Sequence, residues 1–144
     1  MTAYEYIRDC VNVKLKASLV HGVGVFALCD IKEGDELFRV WDGESGEYTL
    51  TENELNSLEE GVKEHLLDMY GYKEINGHYS MFVILNTNCH WIFKTPLHWV
   101  NSCGWNEEPN VDKETLRTTR FIREGEEILA KYGKYDKFKR SRTI

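Results

Sequence analysis

The stretch Gly125-Glu126-Glu127-Ile128-Leu129-Ala130-Lys131-Tyr132-Gly133 is the most informative part of this 144-residue chain. It places a tyrosine between a short strand-like run and a glycine. Its beginning repeats an earlier pattern, because Ile31-Lys32-Glu33-Gly34-Asp35-Glu36-Leu37 parallels Ile122-Arg123-Glu124-Gly125-Glu126-Glu127-Ile128. In both copies a glycine follows one apolar residue by three positions and precedes another by three, which predicts a tight turn with positive φ at the glycine. The pattern therefore indicates two strand–turn–strand units of similar build.

With 42% hydrophobic and 29% charged residues, the composition is that of an ordered globular protein, and the length predicts one domain over residues 1–144. The formal net charge of −6 argues against a general nucleic-acid binder. An acidic surface attracts cationic peptides, so the charge fits a basic partner. Solubility alone is the simpler explanation of the same charge, and the sequence indicates no oligomeric state.

No apolar run reaches the roughly 18–20 residues that a membrane-spanning helix needs. The N-terminal residues MTAYEYIRDC lack the basic and then apolar layout of a signal peptide. We therefore expect an intracellular protein, in the nucleus or the cytoplasm, without a membrane partner. Because no C-x-x-C pair occurs, free thiols are expected in that compartment at Cys10, Cys29, Cys89 and Cys103.

Alternating and short apolar runs predict a mainly β fold with several small sheets. Val11, Val13 and Leu15 alternate with polar residues, which is typical of a half-buried strand. The further strand candidates are Val23–Leu28, Glu36–Trp41, Tyr79–Leu85, Leu116–Ile122 and Glu127–Lys131.

One helix is predicted over about residues 52–70. Thr51 and Glu54 form a capping-box pattern at its start. An apolar stripe that indicates core packing follows at spacings of three and four, through Leu55, Leu58, Val62, Leu66 and Met69. Gly61 should weaken the helix by about 1 kcal/mol relative to alanine, and Gly71 is a natural stop.

The segment His21-Gly22-Val23-Gly24-Val25-Phe26-Ala27 contains two glycines around one residue. Glycines allow the backbone to bend sharply and to approach a ligand closely, since no Cβ intervenes. A plain β-turn is the alternative. The segment is not a dinucleotide-binding fingerprint, because the third glycine and the following helix are missing.

A second unusual segment is Asn101-Ser102-Cys103, followed by Pro109-Asn110. These two segments and the Tyr132 stretch, in this order, resemble the SET domain, the protein-lysine methyltransferase fold that uses S-adenosylmethionine. His21–Ala27 is similar to the first family motif, H/R-G-x-G-V-x-A. The stretch that ends in Tyr132-Gly133 is similar to the last motif, in which G-E-E-L precedes Y-G.

The middle segment departs from the family pattern N-H-S-C-x-P-N, because the histidine is absent and several residues precede Pro109-Asn110. Aligned on asparagine, Asn101 matches and Ser102 replaces the histidine. Aligned on Ser-Cys, Asn101 occupies the histidine position. We prefer the first alignment, since a side-chain amide both donates and accepts hydrogen bonds to a cofactor. Asn110 is then expected to hold the loop.

The resemblance covers about residues 11–135 and implies small curved β-sheets with a knot-like C-terminal threading. It implies an S-adenosylmethionine site formed by His21, Gly22, Val23, Gly24, Asn101 and Ser102. It also implies a basic protein or peptide substrate, with a histone tail as the leading candidate. Candidates for the wall of the substrate lysine channel are Tyr79, Phe82 and Tyr135.

Tyr132 is the residue that the resemblance assigns to catalysis. Transfer of a methyl group to an amine is an in-line displacement that needs the free lone pair of the amine, whereas free lysine has a pKa near 10.4. Desolvation and a nearby sulfonium charge both favour the neutral amine. A tyrosine hydroxyl in the channel wall can accept a weak C–H···O contact from the methyl group. A capping aromatic at a strand end is the alternative.

Two other functions are considered. A non-catalytic SET-like module that binds a peptide is motivated by the missing histidine, and a β-rich binding domain could share only the glycine turns. A metal site formed by Cys89, His90, His98 and Cys103 has ligands of the right type, but their spacing fits no familiar zinc pattern. We therefore expect no metal.

Overall fold

The computed structural model describes residues 1–90, 99–104 and 106–132, in which three helices and seven strands are found. In chain order they are α1 Ala3–Cys10, β1 Val13–Ala17, β2 Val23–Ala27, β3 Gly46–Thr51, α2 Glu52–Asn56, α3 Glu60–Met69, β4 Tyr72–Ile75, β5 His78–Leu85, β6 Asn101–Ser102 and β7 Glu127–Ala130.

The strands form two small sheets, one with the order β1-β2-β7-β6 and the other with the order β3-β5-β4. All pairs are antiparallel except β6 and β7, which run parallel. Each sheet packs on its own apolar cluster. One cluster joins α1 and α3 to the three-stranded sheet, and the other lies on the four-stranded sheet. The predicted mainly β architecture of small sheets is confirmed. The knot-like threading stays a prediction.

Two predicted strands are wrong. Glu36–Trp41 and Leu116–Ile122 contribute only isolated bridges, one of which joins Glu36 to Arg117. The cause lies in the backbone, since Phe38 has φ of 62° and Leu116 has φ of 60°. A left-handed residue cannot continue an extended strand. In contrast, β2 and β7 lie within their predicted ranges, and β5 begins one residue before its predicted range. The first predicted strand begins at Val13 rather than Val11.

The two similar turns pair with each other. Gly34 has φ of 86° and Gly125 has φ of 87°, as their shared pattern predicts. The apolar residues that open the two copies, Ile31 and Ile122, exchange both backbone hydrogen bonds, each 2.8 Å long. The internal similarity therefore corresponds to a backbone bridge between two segments that lie far apart in the sequence.

The predicted helix over 52–70 is divided into α2 and α3. The capping box is confirmed, since the Thr51 side chain accepts from the Glu54 backbone and the Glu54 side chain from the Thr51 backbone. Ser57 ends α2, because its hydroxyl donates to the carbonyl oxygen of Glu54 over 2.8 Å and competes with helix propagation. The helix α3 ends at Met69, one residue before extended Tyr70.

Helix α1 is not among the sequence predictions. Its signals are nonetheless present, because Thr2 and Glu5 form a second complete capping box. The residues that it buries follow helical spacing, at Ala3, Tyr6, Ile7 and Cys10. Strands β3, β4 and β6 are also additions to the predicted set. No helix in the described part of the chain combines the length and the apolar character needed to cross a membrane.

Gly61 has a packing role that outweighs its poor helix propensity. A Cβ at this position would overlap the backbone carbonyl oxygen of Leu28, at the end of β2. Helix α3 can therefore approach the four-stranded sheet only where a residue has no side chain.

We expect Gly61→Ala to destabilise the protein by about 1–3 kcal/mol, although propensity alone predicts a gain of about 1 kcal/mol. Urea unfolding measures the difference. Gly71→Ala is the matched control, since the space around Gly71 is open. A more stable Gly61→Ala protein would contradict the close approach.

His90 is buried, and its ring lies edge-on to Phe38 with centroids 5.7 Å apart. Burial lowers the pKa of His90 to about 4, because the charged imidazolium is poorly solvated there. The folded-state pKa of His90 lies below the unfolded value of about 6.5. The contribution of neutral His90 to stability is therefore fully present above pH 6.5 and is lost as the pH falls toward 4.

We expect the unfolding free energy to fall by at most about 3 kcal/mol over this range on account of His90, since one pKa unit corresponds to about 1.4 kcal/mol. His90→Gln should flatten the dependence between pH 6.5 and 4, as measured by urea unfolding at several pH values. Equal slopes for the two proteins would show that His90 is not the titrating group.

Candidate functional site

Strand β7 brings the three sequence motifs together, because it pairs with β2 on one edge and with β6 on the other. Val25 lies opposite Ile128 in the antiparallel pair, and Asn101 lies opposite Leu129 in the parallel pair. Strand β2 therefore begins at the end of the sheet where β7 ends, and the two-residue parallel strand β6 ends there. The residues before β2, in β6 and after β7 all meet at this end of the sheet.

The Asn101 side chain binds the residues 18–24, which we call the glycine loop. Its amide nitrogen lies 2.9 Å from the carbonyl oxygen of His21, 3.2 Å from that of Val23 and 2.9 Å from a carboxylate oxygen of Glu127. Asn101 is only 5% exposed. Its loss would leave buried acceptors without a donor, so this side chain shapes the loop from inside the protein.

Glu127 lies in the last motif but has no predicted role there, and Ser18 lies outside all three motifs. The Ser18 hydroxyl lies 2.7 and 2.9 Å from the two carboxylate oxygens of Glu127. The same hydroxyl accepts from the backbone N–H groups of Val20 and His21, at 2.9 and 3.3 Å. Ser18 also closes the loop through its backbone, whose N–H donates to the carbonyl of Gly22 over 2.8 Å. Only the tertiary fold joins Ser18 to Glu127, so no local sequence signal could reveal the pair.

The two glycines of the loop have different surroundings. A Cβ on Gly24 would overlap a carboxylate oxygen of Glu127 and lie 3.1 Å from the amide nitrogen of Asn101. Packing within the protein thus accounts for Gly24. Gly22 has φ of 48°, and nothing lies within 4 Å of the place where its Cβ would be. The open backbone face that a ligand could approach is therefore at Gly22.

Tyr132 lies beside the Asn101 segment. Its hydroxyl donates to the carbonyl oxygen of Val100 over 2.8 Å, and its ring packs half-buried against the apolar cluster of the four-stranded sheet. The Lys113 ammonium lies 5.9 Å from the centre of the ring. A hydroxyl has one donor hydrogen and two acceptor lone pairs, and this bond directs the donor toward a backbone carbonyl.

Ser102 and Asn110 occupy less central positions. The Ser102 hydroxyl donates to the carbonyl of Cys103 over 3.3 Å. Asn110 is 1% exposed and forms two hydrogen bonds with the backbone of β7. Its amide donates to the Glu127 carbonyl over 2.8 Å, and its oxygen accepts from the Leu129 N–H over 2.7 Å. This anchoring agrees with the loop-holding role expected for Asn110.

Two of the three predicted channel residues belong to the other sheet. Tyr79 and Phe82 lie on β5 of the three-stranded sheet. The Tyr79 ring packs edge-on to Tyr72 at 5.2 Å, and the Lys73 ammonium lies 5.5 Å from the centre of the Phe82 ring. Tyr135 lies outside the described residues.

The metal hypothesis gains no support from the described residues, in which no group of three or more His, Cys, Asp or Glu side chains is arranged to hold an ion. His98, one of the four residues considered, lies outside the described part of the chain.

A cavity of about 680 Å³ adjoins the glycine loop. Leu19, Val20 and Phe26 contribute apolar surface to it. Its charged lining residues are the acids Glu107, Glu108, Glu126 and Glu127 and the bases Lys16 and Arg120. Its size lies within the range of small-molecule sites. Its mixed lining suits a ligand that has both an apolar part and charged groups.

This arrangement of small sheets, with three motifs at one end of a sheet, has the features of a SET domain. The chain belongs to the SET-domain family, since the family model matches residues 22–133. Family members are generally protein-lysine methyltransferases that use S-adenosylmethionine. No curated protein matches the chain significantly.

Among solved structures, the chain is similar to a Plasmodium falciparum protein provisionally described as a histone methyltransferase. The two share 16% sequence identity with a TM-score of 0.37, over 85% of this chain and 94% of that one.

Asn101→Ala should destabilise the protein by about 1–3 kcal/mol, since it removes the donor to buried acceptors. Ser102→Ala should change stability by less than about 0.5 kcal/mol, because its bond is longer and local. Urea unfolding of the two variants tests this order. The reverse order would show that Asn101 does not hold the loop.

Proposed function

We propose that the chain transfers a methyl group from S-adenosylmethionine to the side-chain amine of a protein lysine. The observation that supports it most directly is the position of Tyr132, whose hydroxyl is fixed on the carbonyl of Val100, beside Asn101. A fixed hydroxyl with accepting lone pairs is what alignment of a methyl donor requires.

The cofactor would lie against the glycine loop. His21, Gly22 and Val23 would contribute backbone, and Gly24 would allow the loop to pack. Asn101 would hold the loop from within the protein, and Ser102 would lie next to it on β6. Two observations support the fit, namely the open face at Gly22 and the adjoining cavity with its apolar and charged lining. When bound, S-adenosylmethionine supplies the activated methyl group.

The chain's own task is to position and to desolvate the reacting amine. A half-buried Tyr132 ring would exclude water on one side, and its hydroxyl would accept the weak contact from the methyl hydrogens. Desolvation lowers the pKa of a lysine amine and so frees its lone pair.

The substrate is proposed to be a basic intracellular protein, with a histone tail as the leading candidate. The net charge of −6 supports a cationic partner. Tyr79, Phe82 and Tyr135 remain the proposed aromatic wall of the channel. No nucleic-acid contact is proposed.

Tyr132→Phe should keep the fold and the cofactor affinity but lower turnover by orders of magnitude. The variant keeps the ring and deletes only the oxygen, so an effect on the transition state appears in the rate constant and not in binding. Transfer of a labelled methyl group to core histones or to a pool of basic peptides measures turnover. Calorimetry with S-adenosylhomocysteine measures binding.

Tyr4→Phe is a matched control, since the Tyr4 hydroxyl pairs with Ser57 away from the site. Near wild-type turnover of Tyr132→Phe would make Tyr132 a structural cap. If the wild-type protein binds the cofactor and methylates no basic substrate, the alternative of a non-catalytic SET-like peptide-binding module replaces the enzyme.

A further inference from the structure

We propose that Glu127 is the positioning residue of the glycine loop, and that its carboxylate sets the loop conformation on which binding of the methyl donor depends. The inference rests on the proposed function and deepens it, because it assigns a role to a side chain of the last motif that has no predicted role. It is carried by the contacts that converge on the carboxylate.

The carboxylate joins segments that lie far apart in the chain. From β7 it accepts the Ser18 hydroxyl at 2.7 and 2.9 Å and the Asn101 amide at 2.9 Å. These two partners themselves hold the loop backbone, Ser18 at Val20 and His21, and Asn101 at the carbonyls of His21 and Val23. Glu127 therefore fixes both side chains that fix the loop.

The loop backbone is shaped around this carboxylate. Gly24 lies so close that any Cβ would overlap the Glu127 oxygen. The glycine and the glutamate are thus complementary, since a side chain at position 24 would displace the carboxylate. A residue that merely covered the surface would not require a glycine opposite it.

Among the residues that the structure describes, the groups that donate hydrogen bonds to the Glu127 carboxylate are neutral. Within the described residues Glu127 forms no ion pair, whereas its neighbour Glu126 binds the Arg120 guanidinium at 3.1 Å. Hydrogen bonds to an ionised acceptor are stronger than neutral ones. A glutamine could not replace this acceptor, because its amide N–H₂ would face either the Asn101 amide or the Ser18 hydroxyl, which already accepts two N–H bonds.

The first test needs no ligand. Gly24→Ala is compared in the wild-type and Glu127→Ala backgrounds by urea unfolding. We expect a clear loss of stability in the wild-type background and a much smaller loss when the carboxylate is absent, since the overlap is then relieved. Equal losses in both backgrounds would overturn the proposed complementarity.

The second test measures binding of S-adenosylhomocysteine by calorimetry. Glu127→Gln should raise the Kd by about tenfold or more, because it leaves a buried donor or acceptor without a partner. Glu36→Gln is the control and should stay within about twofold, because Glu36 forms an exposed ion pair with Arg117 and does not line this cavity. The KM for the cofactor should rise in parallel, with the KM for the peptide and the kcat at saturating cofactor nearly unchanged. A general structural defect would not leave these two constants intact.

The outcomes separate the two proposals. If the wild-type protein binds no S-adenosylhomocysteine, the proposed function fails, and the Gly24 comparison still tests whether Glu127 shapes the loop. If the wild-type protein binds and Glu127→Gln binds equally well, the positioning role is wrong and the proposed function stands.

Discussion

The hydrogen bonding of β7 on both of its edges is the constraint on which the site depends. Four residues, Glu127–Ala130, pair with β2 on one side and with β6 on the other. Asn110 adds a side-chain clamp to the same strand, at Glu127 and Leu129. Segments that are up to about a hundred residues apart in sequence therefore meet at one end of the sheet. Bringing them together costs loop-closure entropy, and the hydrogen bonds of this short strand help to offset that cost.

The site itself is built from inside. Asn101 and Ser18 direct their polar atoms toward the backbone of the glycine loop and toward Glu127, so the loop conformation is set before any ligand arrives. Preorganisation of this kind reduces the entropy that binding would otherwise cost. Tyr132 follows the same design, since its hydroxyl is already fixed on the carbonyl of Val100.

Local patterns predicted those parts of the fold that local forces determine. The Thr51 capping box, the glycine turns at Gly34 and Gly125, and the alternation before β2 are all properties of a few neighbouring residues. The failures arise from tertiary effects. Phe38 and Leu116 adopt left-handed conformations that no propensity favours, and Glu127 meets Ser18 only through strand pairing. The motifs indicated the segments that meet at β7, but a resemblance could not reveal which side chains join them.

Helix α3 lies close to the residue that follows β2, where Gly61 meets the carbonyl of Leu28, a member of the same apolar cluster as the helix. This contact limits how the region between β3 and β5 can diverge or be engineered. A helix transplanted from another protein would need a glycine at the position of Gly61. Any other residue there would displace Leu28 and, with it, β2 and the glycine loop. Gly61 therefore cannot be exchanged independently of the residues that follow β2.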